Sequence, residues 1–264
     1  MRAPAIFLAF CSFLLSGASA IAAANRWTAT ADLRHETVVE YRTDGSRFLQ
    51  ERGNQAVLGI AYQSSVGPGD LEVAIEHARP RLHYQGHSQN GLSIRTQTDY
   101  VSTRLATIYT LPIFPGWRGR VGLEQEFRDR RIHARGNIAG LSENYRTRWE
   151  VLGLQWQNVS GSGKGSVSLD WMSSAAGRQK VWSSGGIDPV SFETGSAEGV
   201  RLSAEWPLSQ SGDVTQLLVT LHVESLVIKR SHDVAWQRNG VTQGYLAQPA
   251  TRRKQFGVGL SYVW

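Results

Sequence analysis

Hydrophobic and polar positions alternate with a period of two along most of this chain. In WTATADLRHETVVEY, at 27–41, Trp27, Ala29, Ala31, Leu33, Val39 and Tyr41 share one face, while Thr28, Thr30, Asp32, Arg34, Glu36 and Glu40 share the other. His35 and Thr37 interrupt the apolar face. In RKQFGVGLSYVW, at 253–264, Phe256, Val258, Leu260, Tyr262 and Trp264 fall opposite Gln255, Gly257, Gly259 and Ser261, with Val263 the exception. Successive side chains of a strand point to opposite faces, so each stretch predicts a two-faced strand. The repeat predicts ten strands, near 27–41, 55–66, 71–84, 97–111, 118–130, 144–157, 165–174, 197–206, 215–228 and 252–264, with eight or twelve the nearest alternatives.

The links alternate in length. GPGD, PIFPGW, NVSGSGKG and PLSQSGD are short and rich in turn residues, whereas the links around 42–54, 85–96, 131–143, 175–196 and 229–251 are long. An apolar face backed by a charged face, with short turns at one end and long ones at the other, predicts an all-β fold: one antiparallel transmembrane β-barrel over 25–264. An even strand number puts both termini at the short-turn, periplasmic side. Tyr and Trp favour membrane boundaries. Trp27, Tyr62, Tyr109, Trp117, Trp156, Trp206 and Trp264 are expected at one boundary and Tyr41, Tyr84, Tyr100, Phe127 and Tyr145 at the other.

The opening stretch at 1–24, MRAPAIFLAFCSFLLSGASAIAAA, has an early Arg2, an apolar run from Ala5 to Leu15 and then small residues. That is the layout of a secretory signal peptide, with cleavage after Ala20 or Ala24. Cys11, the only cysteine, falls within it, which excludes disulfide and cysteine-metal chemistry from the remainder. Without Arg2 there are 28 − 1 = 27 basic residues against 22 acidic, a net charge near +5. No nucleic-acid motif accompanies that excess, and the phosphates of lipopolysaccharide are the expected anionic partner.

The signal peptide, the alternating strands, the link asymmetry and the aromatic last strand together resemble Gram-negative outer-membrane β-barrel proteins. In that class the barrel-assembly machinery recognises a final strand with a C-terminal aromatic residue, and Phe256, Leu260, Tyr262 and Trp264 match the pattern, with Trp264 in place of the commoner Phe. The resemblance implies a cell outer-membrane location, and membrane lipid, lipopolysaccharide and the assembly machinery as partners. It specifies architecture and not activity.

The face away from lipid carries Arg104, Arg120, Glu124, Glu126, Arg128, Arg148 and Glu150, an expected network of paired charges inside a narrow lumen. On this reading the protein is an envelope scaffold, surface binder or narrow channel. The competing reading is a hydrolase at the lumen rim. His222 and Glu224 share a face, as do Glu124 and Glu126, so an imidazole beside one carboxylate and a second carboxylate pair could activate water. Omptin proteases are ten-stranded barrels that set an Asp-His pair opposite an Asp pair. Here Glu replaces Asp and the pairs lie on other strands. The His-x-Ser spacing of outer-membrane lipid hydrolases is absent around His222, and His83, His87 and His232 show no metal-ligand spacing. No cofactor or metal is expected.

Overall fold

The structure, a computed structural model, describes residues 25–87, 91–136, 138–157, 165–185, 187–211 and 215–264. The expected leader at 1–24, its cleavage points and Cys11 lie outside the described residues, as does most of NVSGSGKG. The strands are β1 (Arg26–Tyr41), β2 (Arg47–Val66), β3 (Gly69–Ala78), β4 (Arg81–His87), β5 (Ser93–Phe114), β6 (Trp117–Ile132), β7 (Leu141–Gln157) and β8 (Ser166–Ser174). They continue as β9 (Arg178–Ser183), β10 (Ile187–Glu193), β11 (Ala197–Ser211), β12 (Thr215–Ile228), β13 (Val234–Arg238), β14 (Val241–Leu246) and β15 (Ala250–Val263). β3 with β4, β8 with β9, and β10 with β11 each make one crossing of the wall in two segments. The result is a closed antiparallel barrel of ten strands, with β13 and β14 forming a separate hairpin.

Closure is made by β1 and β15, where Trp27 and Trp264 exchange backbone hydrogen bonds of 2.9 and 3.0 Å. Register partners followed around the wall run Trp27, Tyr62, Val73, Thr107, Leu123, Glu150, Ser173, Glu198, Val227, Arg252 and back to Val39. The circuit therefore leaves β1 at Trp27 and returns to it at Val39, higher on the same strand. With strands about 4.8 Å apart and a rise of about 3.3 Å per residue, that stagger tilts them by roughly 40° and makes a wall roughly 20 Å across.

The outer face is a continuous apolar belt. Leu33, Leu58, Leu152 and Phe256 are 59, 64, 60 and 61 % exposed. On β15 the belt runs from Trp264 to Phe256, which at that tilt is roughly 20 Å of height. Aromatic rings mark its edge near the two termini: Trp27 lies 4.9 Å from Tyr62, and Tyr262 5.6 Å from Trp264. The opposite, distal edge differs from expectation. Phe127 faces outward, but Tyr84 and Tyr100 are buried inside, and Tyr145 also points inward, donating its hydroxyl to Glu143. Their positions along the strands place them on the inner face, where polar side chains take up their hydroxyls.

The long links are a second correction. β2 begins at Arg47 and β5 at Ser93, and the 175–196 region is mostly β9 and β10. Above the belt, outward positions such as Arg52, Asn54, Arg95 and Gln97 are polar, so alternation of hydrophobicity vanishes while the strand continues. The 229–249 link stays long and carries the β13–β14 hairpin. Its turn uses Asn239 and Gly240 at φ of 53° and 76°, the left-handed pair that a two-residue hairpin needs.

Leu260 lies on the outward face at mid-belt. Leu260→Arg should cost roughly 2 to 4 kcal/mol of insertion energy, read as a smaller heat-modifiable fraction on unboiled gels. Arg148→Ala, on the outer face at the belt's distal edge, should leave that fraction unchanged.

Candidate functional site

The inner face is crowded with ionic side chains because β1, β3, β5, β6, β12 and β15 all place charged residues at inward positions. They form tiers. At mid-lumen, Arg104, Arg201 and Arg253 meet Glu124, Glu126 and Glu224. Arg201 holds Glu124 in a bidentate pair of 2.5 and 2.8 Å and reaches Glu224 at 2.9 Å. Arg104 binds both oxygens of Glu224 at 3.0 and 3.2 Å, and Arg253 binds both oxygens of Glu126 at 2.6 and 3.0 Å. Trp149 Nε1 donates to Glu126 at 3.3 Å. Planar guanidinium forks match carboxylates in this way, and all of these ion pairs but Arg201–Glu224, which joins the neighbouring β11 and β12, link strands far apart in sequence.

Toward the distal end, Arg128 meets Glu36 at 2.7 Å, with its guanidinium 4.0 Å over the Tyr100 ring. Arg130 then serves three carboxylates: Glu40 at 2.8 Å, Glu51 at 2.8 Å and Glu143 at 2.7 Å. Thr98 and Tyr100 also donate to Glu51, and Tyr145 and Gln179 to Glu143. An apolar cluster of Leu49, Tyr84 and Ile94 packs at the same end. A second cluster, Trp149, Val151, Met172, Leu226, Ile108 and Ala197, lies against one inner wall beside the mid-lumen ions.

Toward the termini the filling thins. Arg34 binds Asp32 at 2.6 Å and Glu76 at 2.7 Å, Arg120 binds Asp170 at 2.9 Å, and Arg118 pairs with Asp70. Of these, Glu76, Asp70, Arg118, Arg120 and Asp170 border a cavity of about 550 Å³. Its lining runs from Arg26, Ser65, Arg118 and Gln157 at the terminal rim to Glu124, Arg201 and His222 at the mid-lumen ions.

Of the seven charges expected in the lumen, Arg104, Arg120, Glu124, Glu126 and Arg128 point inward. Arg148 and Glu150 do not. Both are exposed on the outer face of β7, in phase with Leu152, Leu154 and Trp156. Their charge suggested the lumen, but a strand cannot send residues two apart to opposite faces without a bulge. Arg130, Glu51, Glu143 and Arg253 belong to the interior although their charge was not assigned there from the sequence, and Glu40 joins them from the polar face of β1. Strand phase was the available signal: Arg130 is in step with Glu124 and Glu126, and Arg253 with Gln255.

The four residues considered for catalysis are close together, but the three carboxylates are occupied. Glu124, Glu126 and Glu224 each bind guanidinium groups, and among the described residues no hydrogen bond joins His222 to Glu224. His222 is buried, lines the cavity, and its Nε2 has no partner. The arrangement is an ion-pair lattice without a free carboxylate beside the imidazole. The C-terminal set is also placed: Phe256, Leu260, Tyr262 and Trp264 all face outward on β15, between 41 and 61 % exposed. Among the described residues no group of His, Asp and Glu is arranged to hold a metal ion.

No protein-family model matches the sequence, and no curated protein matches it. Among solved structures, the outer membrane protease OmpT from Escherichia coli is similar at 10 % identity, over 93 % of this chain and 99 % of that one, with a TM-score of 0.58. This chain has an outer-membrane β-barrel fold. The translocator domain of the autotransporter NalP from Neisseria meningitidis follows at 14 % identity over 88 % and 87 % of the two chains, with a TM-score of 0.38. The toluene transporter TodX from Pseudomonas putida follows at 9 % identity over 97 % and 91 %, with a TM-score of 0.37. At such identities the likeness is one of fold.

Removing one partner from a buried ion pair strands the other, typically at about 3 to 5 kcal/mol, less where water can enter. Glu224→Ala, which would remove the carboxylate that Arg104 hydrogen-bonds, should therefore lower the melting temperature of the folded barrel markedly. Arg148→Ala should shift it little, since exposed substitutions stay within about 0.5 kcal/mol. Thermal melts of the two variants in one detergent would check both.

Proposed function

We propose that the protein is a structural barrel of the Gram-negative outer membrane, acting as an envelope scaffold or surface binder, with its lumen closed to transport. The observation that carries this reading is the mid-lumen tier, where three arginines clamp Glu124, Glu126 and Glu224 across the bore. The Arg130 tier and the Leu49 cluster add a second closure above it. The likeness to OmpT, a protease, gives no support for proteolysis here, because the three candidate carboxylates are held by arginine.

In this reading both termini are periplasmic. The short turns beside them and the large hairpin at the far end support that orientation. The leader at 1–24 serves export, and the outward Phe256, Leu260, Tyr262 and Trp264 serve recognition by the assembly machinery. The cavity is then a blind vestibule facing the periplasm. A second reading, hydrolysis, keeps one observation in its favour: the unpartnered Nε2 of His222 at the cavity wall.

Ser203 lines the cavity, and a cysteine there would be unique once the leader is gone. In Ser203→Cys, a membrane-impermeant maleimide should label the protein only after the outer membrane is permeabilised. Labelling on intact cells would refute the closed lumen. The same cells carrying His222→Ala should keep a folded barrel with unchanged lipid and peptide turnover. A folded variant that loses a hydrolytic activity would establish the second reading instead.

A further inference from the structure

The outer surface above the belt is electrostatically lopsided. Because the register circuit climbs from Trp27 to Val39 over ten strands, each step to the next strand raises the register by slightly more than one position, which sets all strands on one height scale above Trp27. On it Phe256 lies at about 7, Lys254 at about 9, Arg52 at about 11, His83 at about 12 and Arg95 at about 16, so the basic groups begin near the belt edge with Lys254 and extend roughly 17 Å further. They occupy the outer face of β15, β2, β4 and β5, either side of the uncharged upper face of β1. The outward acid on this stretch, Asp99, is already bound by Arg81 at 2.6 Å and His133 at 2.7 Å.

Within this face lies a groove of about 490 Å³ between β2, β4 and β5. Arg52, Arg95 and Arg135 line it together with Gln50, Gln85 and Gln97, and no carboxylate does. Arg135 is positioned by donating to the Arg95 carbonyl. Among the described residues none of the three guanidiniums pairs with an acid. The opposite side of the barrel has a different character. There Arg146, Arg148 and Arg178 are interleaved with Glu150, Glu193 and Glu198, and Glu193 stands directly across from Arg178.

We infer that this groove is a binding site for an outer-leaflet lipid whose headgroup is a phosphorylated saccharide, the chemistry of lipopolysaccharide. The inference rests on the outer-membrane orientation proposed above. Height selects the ligand class. A glycerophospholipid presents one phosphate layer at the acyl boundary, within reach of Lys254 but far below Arg95. A headgroup with anions at several depths along a sugar chain meets all of them. Guanidinium forks suit phosphate oxygens, and the three glutamine amides suit sugar hydroxyls as donor and acceptor at once. Because the groove has no carboxylate, binding is direct and needs no divalent cation between lipid and protein.

The test uses the full mature chain purified in zwitterionic detergent and titrated with lipopolysaccharide, or with phosphatidylglycerol, with and without EDTA. Heat-modifiable migration of each preparation reports the barrel independently, and membrane fractionation reports its location, so a failure of the underlying reading shows there and not in the titration. Arg52→Gln, Arg95→Gln and Arg135→Gln combined should weaken lipopolysaccharide binding by at least about tenfold, the scale of removing one charge-assisted hydrogen bond. Arg146→Gln, Arg148→Gln and Arg178→Gln combined should change it less than about threefold. Wild-type affinity should survive EDTA and exceed that for phosphatidylglycerol. Equal loss in both triple variants, loss of binding in EDTA, or equal affinity for the two lipids would overturn the assignment.

Discussion

The stagger that carries the register from Trp27 back to Val39 sets the width of the wall, and the width decides what the interior can be. At roughly 20 Å across, measured between backbones, the bore is spanned by an arginine from one side and a glutamate from the other. A wider barrel would leave those groups hydrated and apart. A narrower one would have no room for them. The pairs between β5, β6, β11, β12 and β15 are therefore a property of the closure as much as of the residues, and they hold together strands distant in sequence.

The tiers are unequal in charge. Mid-lumen arginines and glutamates match three to three, whereas Arg130 faces Glu40, Glu51 and Glu143 alone. Hydroxyl and amide donors from Thr98, Tyr100, Tyr145 and Gln179 spread that excess. Such donors stabilise a carboxylate without adding a cation, and they explain why aromatic residues expected at the membrane boundary are found inside. The terminal third lacks this density, and its cavity follows from smaller inward residues such as Ser168, Ser203 and Ala74.

The architecture was legible because its rule is short. One parity of each strand meets lipid, and β1 and β15 display that rule almost without exception. Errors arose where a second cue competed with parity. Arg148 and Glu150 looked internal because they are charged, although Leu152, Leu154 and Trp156 fix the phase of β7 as outward. Arg130 adjoins the exposed Arg131, but neighbours on a strand face opposite ways, and its parity with Glu124 and Glu126 puts it inside. Inward apolar residues such as Met172 and Leu226 carry no sign in the sequence that separates them from lipid-facing ones, since the two differ only in register. Pairings such as Arg253 with Glu126 join residues 127 positions apart, and a single sequence does not encode that proximity.

The wall is sealed between Trp27 and Trp264, whose backbones meet although almost all of the wall lies between them along the chain. Every other neighbouring pair of wall strands is joined by an intervening turn or link and can form as a hairpin. The seam cannot form until both flanks of the sheet exist, and closing so long a loop is slow. Until then β1 and β15 are open edges carrying unpaired backbone groups beside exposed apolar rows, the features that lead sheets to aggregate. Folding of this chain is thus limited by how well two unfinished edges are sheltered from other chains before they find each other.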